Sequence, residues 1–152
     1  MGEPKIEARA ESPYVGIRRD VTPDTFRDVV DEGFPALFAE LGERAPSGAP
    51  FIRFVEFAGD GTPSVIEIGA PVAEGGTSTL PAGDYATFLH VGPFRHDSAP
   101  DLADARERLL AWGREQGIEW EPGYALERYL TDPSQEPDFM KWETELAYLT
   151  RP

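Results

Sequence analysis

Carboxylates and aromatic rings are the chemistry this sequence offers. Glu67 lies in Val65-Ile66-Glu67-Ile68-Gly69, and Glu145 lies in Trp142-Glu143-Thr144-Glu145-Leu146. A Glu that alternates with apolar residues on a strand usually faces solvent, and the alternative is a groove between packed modules. In such a groove its carboxylate must be paired, hydrogen-bonded or protonated, and a cationic ligand would supply the missing partner. The chain also carries nine Phe, five Tyr and three Trp. Strand parity allows Tyr85, Phe54 and Tyr129 to share the face opposite the helices. Trp112 falls near the end of the second helix, and Trp120 and Trp142 flank the last hairpin. Aromatic faces beside a carboxylate form a cage for a flat or quaternary cation, at roughly 0.5 to 2 kcal/mol per contact. Taken singly, each of these rings reads first as core packing.

Other chemistries lack their signatures. There is no phosphate-binding loop, dinucleotide fingerprint or nucleophile elbow, and Gly59-Asp60-Gly61 reads as a hairpin turn. His90 and His96, six residues apart beside Gly92-Pro93, fit no zinc spacing, so structural roles are expected and no metal or cofactor. Cys is absent, which excludes disulfides, thiol nucleophiles and thiolate metal sites. The 28 acidic residues against 14 basic ones give a net charge of -14. Both halves of the chain share that imbalance, so direct nucleic-acid binding is not expected. An acidic field attracts cations. With no apolar h-region and no 18-residue apolar run, a cytoplasmic protein without a membrane segment is expected.

The elements that must position these residues follow from periodicity. Residues 1–12 fit a flexible start or an edge strand, and Tyr14 to Arg19 alternates as a strand. Thr22-Pro23 opens a helix, with Thr22 as N-cap. Phe26, Val29, Val30, Phe34, Leu37, Phe38 and Leu41 form its apolar stripe, and Gly33 and Pro35 are expected to kink it. Strands Phe51–Phe57 and Ser64–Val72 make a hairpin around Ala58–Pro63. Ala73–Thr79 reads as a linker. Then come a strand at Asp84–Val91 and a helix opened by Ser98-Ala99-Pro100-Asp101. This second helix buries Leu102, Ala105, Leu109, Trp112 and Gly113 and closes at Gly117. Strands Tyr124–Leu130 and Trp142–Leu149 follow.

The order βαββ thus occurs twice, and Tyr14 matches Tyr85 while Glu67–Val72 matches Glu145–Thr150. The expected fold class is α+β: a duplicated βαββ module with pseudo-two-fold symmetry and a ligand groove between the modules. Module one covers about 13–73, the linker 74–79 and module two 80–150, in a single domain over 1–152.

Three segments resemble one family. Leu80-Pro81-Ala82-Gly83-Asp84-Tyr85-Ala86 followed by His90-Val91-Gly92-Pro93-Phe94 is similar to a segment of the GyrI-like small-molecule-binding domains. Tyr129-Leu130-Thr131-Asp132-Pro133 and Thr144-Glu145-Leu146 resemble that family's next strand and turn and its closing strand, although Tyr148 stands where Pro is common. The resemblance implies a duplicated βαββ fold that binds bulky, often cationic aromatic drugs. Glu145 would be the counter-charge, with Tyr85 and Tyr129 at the matching tyrosine positions. Some members carry a DNA-binding helix-turn-helix ahead of this domain and act as drug-responsive transcription regulators. Residues 1–13 leave no room for one, so a stand-alone member linked to drug resistance is expected. The leading reading is a multidrug-binding protein using Glu145, Tyr85, Tyr129, Phe54, Trp112, Trp142 and Glu67. A second is a hydrolase opening cyclopropane-bearing drugs, with Glu145 and Tyr85 catalytic and Glu67 or Glu127 as a second carboxylate. A third is an acidic protein contacting a partner such as a topoisomerase.

Overall fold

The computed structural model describes residues 2–98 and 100–152. In chain order its elements are β1 (Lys5–Arg9), β2 (Ser12–Asp20), α1 (Phe26–Leu41), β3 (Phe51–Phe57), β4 (Pro63–Pro71), β5 (Ser78–Leu80), β6 (Gly83–Val91), α2 (Leu102–Gln116), β7 (Trp120–Tyr129) and β8 (Glu143–Thr150). A single 3-10 turn at Phe139–Lys141 precedes β8. Helices and antiparallel strands make this a mixed α+β protein. The chain forms two compact units. One comprises Met1–Arg9, Gly83–Glu121 and Glu127–Pro152; the other comprises Ala10–Ala82 and Pro122–Leu126.

In the unit built mainly on Ala10–Ala82, β4 lies between β3 and β2, and β5 pairs with the outer edge of β2. Ser78 and Thr79, at the end of the expected linker, are therefore strand residues. Helix α1 packs by Gly33, Leu37 and Leu41, all buried. Gly33 is required for this approach: a Cβ there would stand 2.1 Å from Cδ1 of Ile68 on β4. Phe38, expected in the buried stripe, is 51% exposed. The helix also starts later than expected. The Thr22 and Thr25 hydroxyls and amides bond one another, which closes a separate turn and leaves Thr25 in the N-cap position. Between β3 and β4, the Ala58–Thr62 turn is closed by the Ala58 amide donating to the Thr62 carbonyl at 2.8 Å. A bulge falls between Phe54 and Glu56. It lies beyond Arg53, so the alternation at Arg53 is undisturbed.

In the unit containing α2, β6 lies between β1 and β8, and β7 adjoins β8. Lys5–Arg9 is thus an edge strand, one of the two options the sequence allows. Helix α2 buries Leu102, Ala105, Leu109 and Gly113. Its cap is three residues later than expected. Asp101 is the N-cap, accepting from the Ala103 and Asp104 amides, while Asp104 accepts from the Asp101 amide. Ala99, within the expected start, lies outside the described residues. Among the described residues, no helix is long and apolar enough to cross a membrane.

Candidate functional site

Alternation about two isoleucines orients the first carboxylate. Ile68 meets Gly33 of α1, so Ile66 and Ile68 face the helix and Glu67 faces the opposite side of the sheet. Arg53 stands opposite Glu67 in register, and its Nε donates to Glu67 Oε1 at 2.9 Å. The Tyr14 hydroxyl donates to the same oxygen at 2.5 Å. Arg53 also donates from Nη1 to the Gly123 carbonyl at 2.7 Å and lies 5.1 Å from the centroid of the Tyr124 ring. All three side chains of the Tyr14–Glu67–Arg53 group are buried. Gly16 makes the room, since a Cβ there would stand 2.8 Å from Cδ of Glu67. Burial, and then the Glu67 carboxylate, push the Tyr14 hydroxyl up to about 12. The partner that the sequence left open for Glu67 is therefore Arg53, reinforced by Tyr14.

The second carboxylate repeats this placement in its own unit. Phe88 of β6 lies beneath Arg108 of α2, 5.3 Å from ring centroid to guanidinium carbon, and pairs with Leu146. Glu145 pairs with Leu89 and so faces away from α2. Tyr85 shares that face, opposite Leu149, four residues beyond Glu145; Tyr14 stands opposite Pro71, four residues beyond Glu67. Two guanidiniums hold Glu145 Oε1: Arg9 Nη2 donates at 2.8 Å and Arg128 Nη1 at 2.6 Å. Arg9 also lies 5.8 Å from the Tyr85 ring centroid and 3.5 Å from a Glu7 carboxylate oxygen. The side chains keep partial exposure, 22% for Arg9, 27% for Arg128 and 19% for Glu145. Glu145 thus stays in reach of water, with its charge already answered.

Two expected wall residues point the other way. Phe54 alternates with Arg53 and stacks on Phe26 of α1 at 6.3 Å, rather than lying on the face opposite the helix. Tyr129 also lies on the helix side: its hydroxyl donates to Glu127 Oε1 at 3.0 Å, and Arg106 of α2 donates to Glu127 Oε2 at 2.5 Å. Burial, and then the Glu127 charge, hold the Tyr129 and Tyr148 hydroxyls well above the ordinary tyrosine range. Trp142 packs with Phe94 at 4.9 Å, and Phe94 with Tyr129 at 5.5 Å; the Trp142 indole donates to the Glu136 carbonyl at 2.9 Å. Trp112 is half-buried on α2. The structure therefore puts Glu145 and Tyr85 on one sheet face with Arg9 reaching both, and links Tyr129 to Trp142 through Phe94, but does not gather all seven expected residues into one cage. His90 Nε2 bonds the Pro93 carbonyl at 2.9 Å, which ties down the turn after β6.

Arg9, Arg53, Arg128 and Tyr14 were missed as site residues. The repeat had already matched Tyr14 to Tyr85. Arg53 and Arg128 each lie on the strand preceding their glutamate strand, but matching Phe51–Val55 with Tyr124–Arg128 sets Arg53 against Leu126, and only a two-residue shift of that match aligns the two arginines.

Polar groups converging on one sheet face of an α+β unit are the ingredients of a small-molecule-binding domain. The chain belongs to the GyrI-like family: the model for the GyrI-like small molecule binding domain matches residues 2–147. No curated protein matches it in sequence. Among solved structures, the EcmrR C-terminal domain is similar in fold, with a TM-score of 0.78 at 16% identity over 98% of this chain and 97% of that one. EcmrR in its complex with DNA gives a TM-score of 0.79 at 16% identity, with 98% of this chain covered. This chain spans only 57% of that longer one. SAV2435 bound to tetraphenylphosphonium gives a TM-score of 0.64 at 13% identity, over 99% of this chain and 94% of that one.

Proposed function

We propose that this domain captures bulky hydrophobic, cationic aromatic compounds, with Glu145 as the counter-charge and Tyr85 as the adjoining aromatic wall. The observation that carries this reading is the position of Glu145: on the sheet face it shares with Tyr85, turned away from α2 and partly open to water, with Arg9 reaching both. Family membership supports it, as does the tetraphenylphosphonium bound by SAV2435, a cation with four aromatic rings. A net charge of -14 favours approach by cations and makes capture sensitive to salt. Glu67 has a different part in this reading. Buried against Arg53 and Tyr14, it braces the sheet. We also infer that the two βαββ runs are copies of one module, because Tyr, Glu and Arg recur at matching strand positions.

Calorimetric titration of tetraphenylphosphonium into wild type and Glu145→Gln tests this. Wild type should bind in the micromolar range, and the variant should lose about tenfold or more, since the site then keeps two arginines and no carboxylate. Equal binding by both would remove Glu145 as the counter-charge. Turnover of a cyclopropane-bearing electrophile by wild type alone would favour the hydrolase reading instead.

A further inference from the structure

We infer that Arg9 is a resident counter-ion that a cationic ligand must displace from Glu145, and that it thereby sets the threshold for ligand selection. This rests on the proposed role of Glu145. Arg9 already does what an organic cation would do. Its guanidinium meets the carboxylate at 2.8 Å and lies 5.8 Å from the Tyr85 ring centroid, so charge pairing and ring contact come from one side chain. Glu145 carries one negative charge and touches two positive ones, Arg9 and Arg128. With Glu7 beside Arg9 the group is balanced, two carboxylates to two guanidiniums, so an added cation gains no net charge attraction at Glu145 unless one arginine leaves it.

Arg9 is the one placed to leave. It stands at the end of β1, a five-residue strand that pairs with β6. Its Nη2 is already 3.5 Å from Glu7 Oε2, so a second carboxylate awaits it. Glu7 is two residues away on the same strand and therefore on the same face. A small movement of one flexible side chain transfers Arg9 from Glu145 to Glu7. Arg128 stays on Glu145 and keeps the carboxylate oriented. The unit containing Tyr14 shows the contrast. There the arginine on Glu67 is buried and also fixed to the Gly123 carbonyl, so it is locked in place.

Weak cations should fail to displace Arg9, while a large aromatic cation regains the lost contact on the Tyr85 ring and adds apolar burial. The test is titration of tetraphenylphosphonium into wild type, Arg9→Gln, Glu7→Gln and Arg9→Gln/Glu7→Gln, with Lys5→Gln as a charge control and a thermal melt to confirm folding. Lys5 lies on the same strand and face, four residues from Arg9. Arg9→Gln should bind about fivefold more tightly, and Lys5→Gln should change affinity by less than about twofold. Glu7→Gln should weaken binding in the wild-type background and do so less when Arg9 is gone. If folded Arg9→Gln binds no more tightly than a wild type that does bind, or Lys5→Gln gives the same gain, Arg9 is not the displaced group, and the proposed function still stands. If neither wild type nor Arg9→Gln binds, both fail.

Discussion

The Tyr14 hydroxyl donates to the Glu67 carboxylate across the sheet at 2.5 Å, in a buried setting that Arg53 completes. The bond needs the protonated phenol, and both burial and the carboxylate resist its ionisation. The Tyr14 pKa therefore rises from 10.0 to about 12 on folding. A group whose pKa is raised in the folded state contributes stability that is complete below its unfolded pKa and is lost as pH rises through the folded one. Stability should accordingly fall between pH 10 and about 12, with Tyr129 and Tyr148 acting in the same direction. Denaturant unfolding across the alkaline range, read beside tyrosinate absorbance, checks this. Tyr14→Phe should cost about 1.5–3 kcal/mol at neutral pH and flatten part of the alkaline decline.

Arg53 and Glu67 form a buried pair, and breaking such a pair from one side leaves an unanswered charge. Arg53→Met should destabilise the protein by about 3–5 kcal/mol. The double variant Arg53→Met/Glu67→Gln should lose clearly less than the sum of the single losses, because it strands no charge. Unfolding midpoints in urea for the four proteins of the cycle give the coupling. Strict additivity would mean that the pair is not energetically linked.

Helix α2 rests on Trp120 through Gly113. A Cβ at that position would stand 2.4 Å from Cζ2 and 3.0 Å from Cη2 of the indole. A rigid ring cannot fold away as a flexible chain end can, so overpacking by about 1–3 kcal/mol outweighs the gain of up to about 1 kcal/mol in helix propensity. Gly113→Ala should therefore be destabilising despite being a favourable substitution in an isolated helix. Its effect should appear both in the thermal midpoint and in the tryptophan emission.

Asp101 holds the start of α2 by accepting from the amides of Ala103 and Asp104, and it also accepts from the His96 amide at 3.1 Å. Burial raises its pKa, but the His96, Asp104 and Ala103 amides and the Arg106 charge outweigh that and hold it below the ordinary value. A lowered folded pKa contributes stability that is present above the unfolded value and lost as pH falls through the folded one. Asp101→Ala should cost about 0.5–2 kcal/mol at neutral pH, and the difference from wild type should shrink in acid. Equal sensitivity of the two proteins to acid would separate Asp101 from the pH dependence.

Much of this protein is written locally in its sequence. The alternation of Val65-Ile66-Glu67-Ile68 and the spacing of Leu102, Ala105 and Leu109 place a strand and a helix without knowledge of neighbours. The segments around Tyr85, Tyr129 and Glu145 carried the family. Period-two alternation states that Arg53 and Phe54 point in opposite directions; it does not say which of them meets the helix. Packing of α1 decided that: Gly33 admits Ile68, Phe26 stacks on Phe54, and Arg53 and Glu67 are left on the other face. The same sign choice turned Tyr129 toward Arg106 and Glu127. Helix starts were misplaced by three residues at both helices. Several Thr, Ser and Asp side chains near each start can cap, and the backbone path into the helix selects among them. The charge state of the candidate site was also beyond local reading. Arg9 reaches Glu145 across 136 residues of sequence, a contact fixed only when β1 pairs with β6 and β6 with β8. The sequence determines which residues share a face within a single strand, as Glu145 does with Leu149, because side-chain alternation is a property of the backbone. The tertiary structure alone decides which charges meet that carboxylate, because strand pairing brings them from elsewhere in the chain.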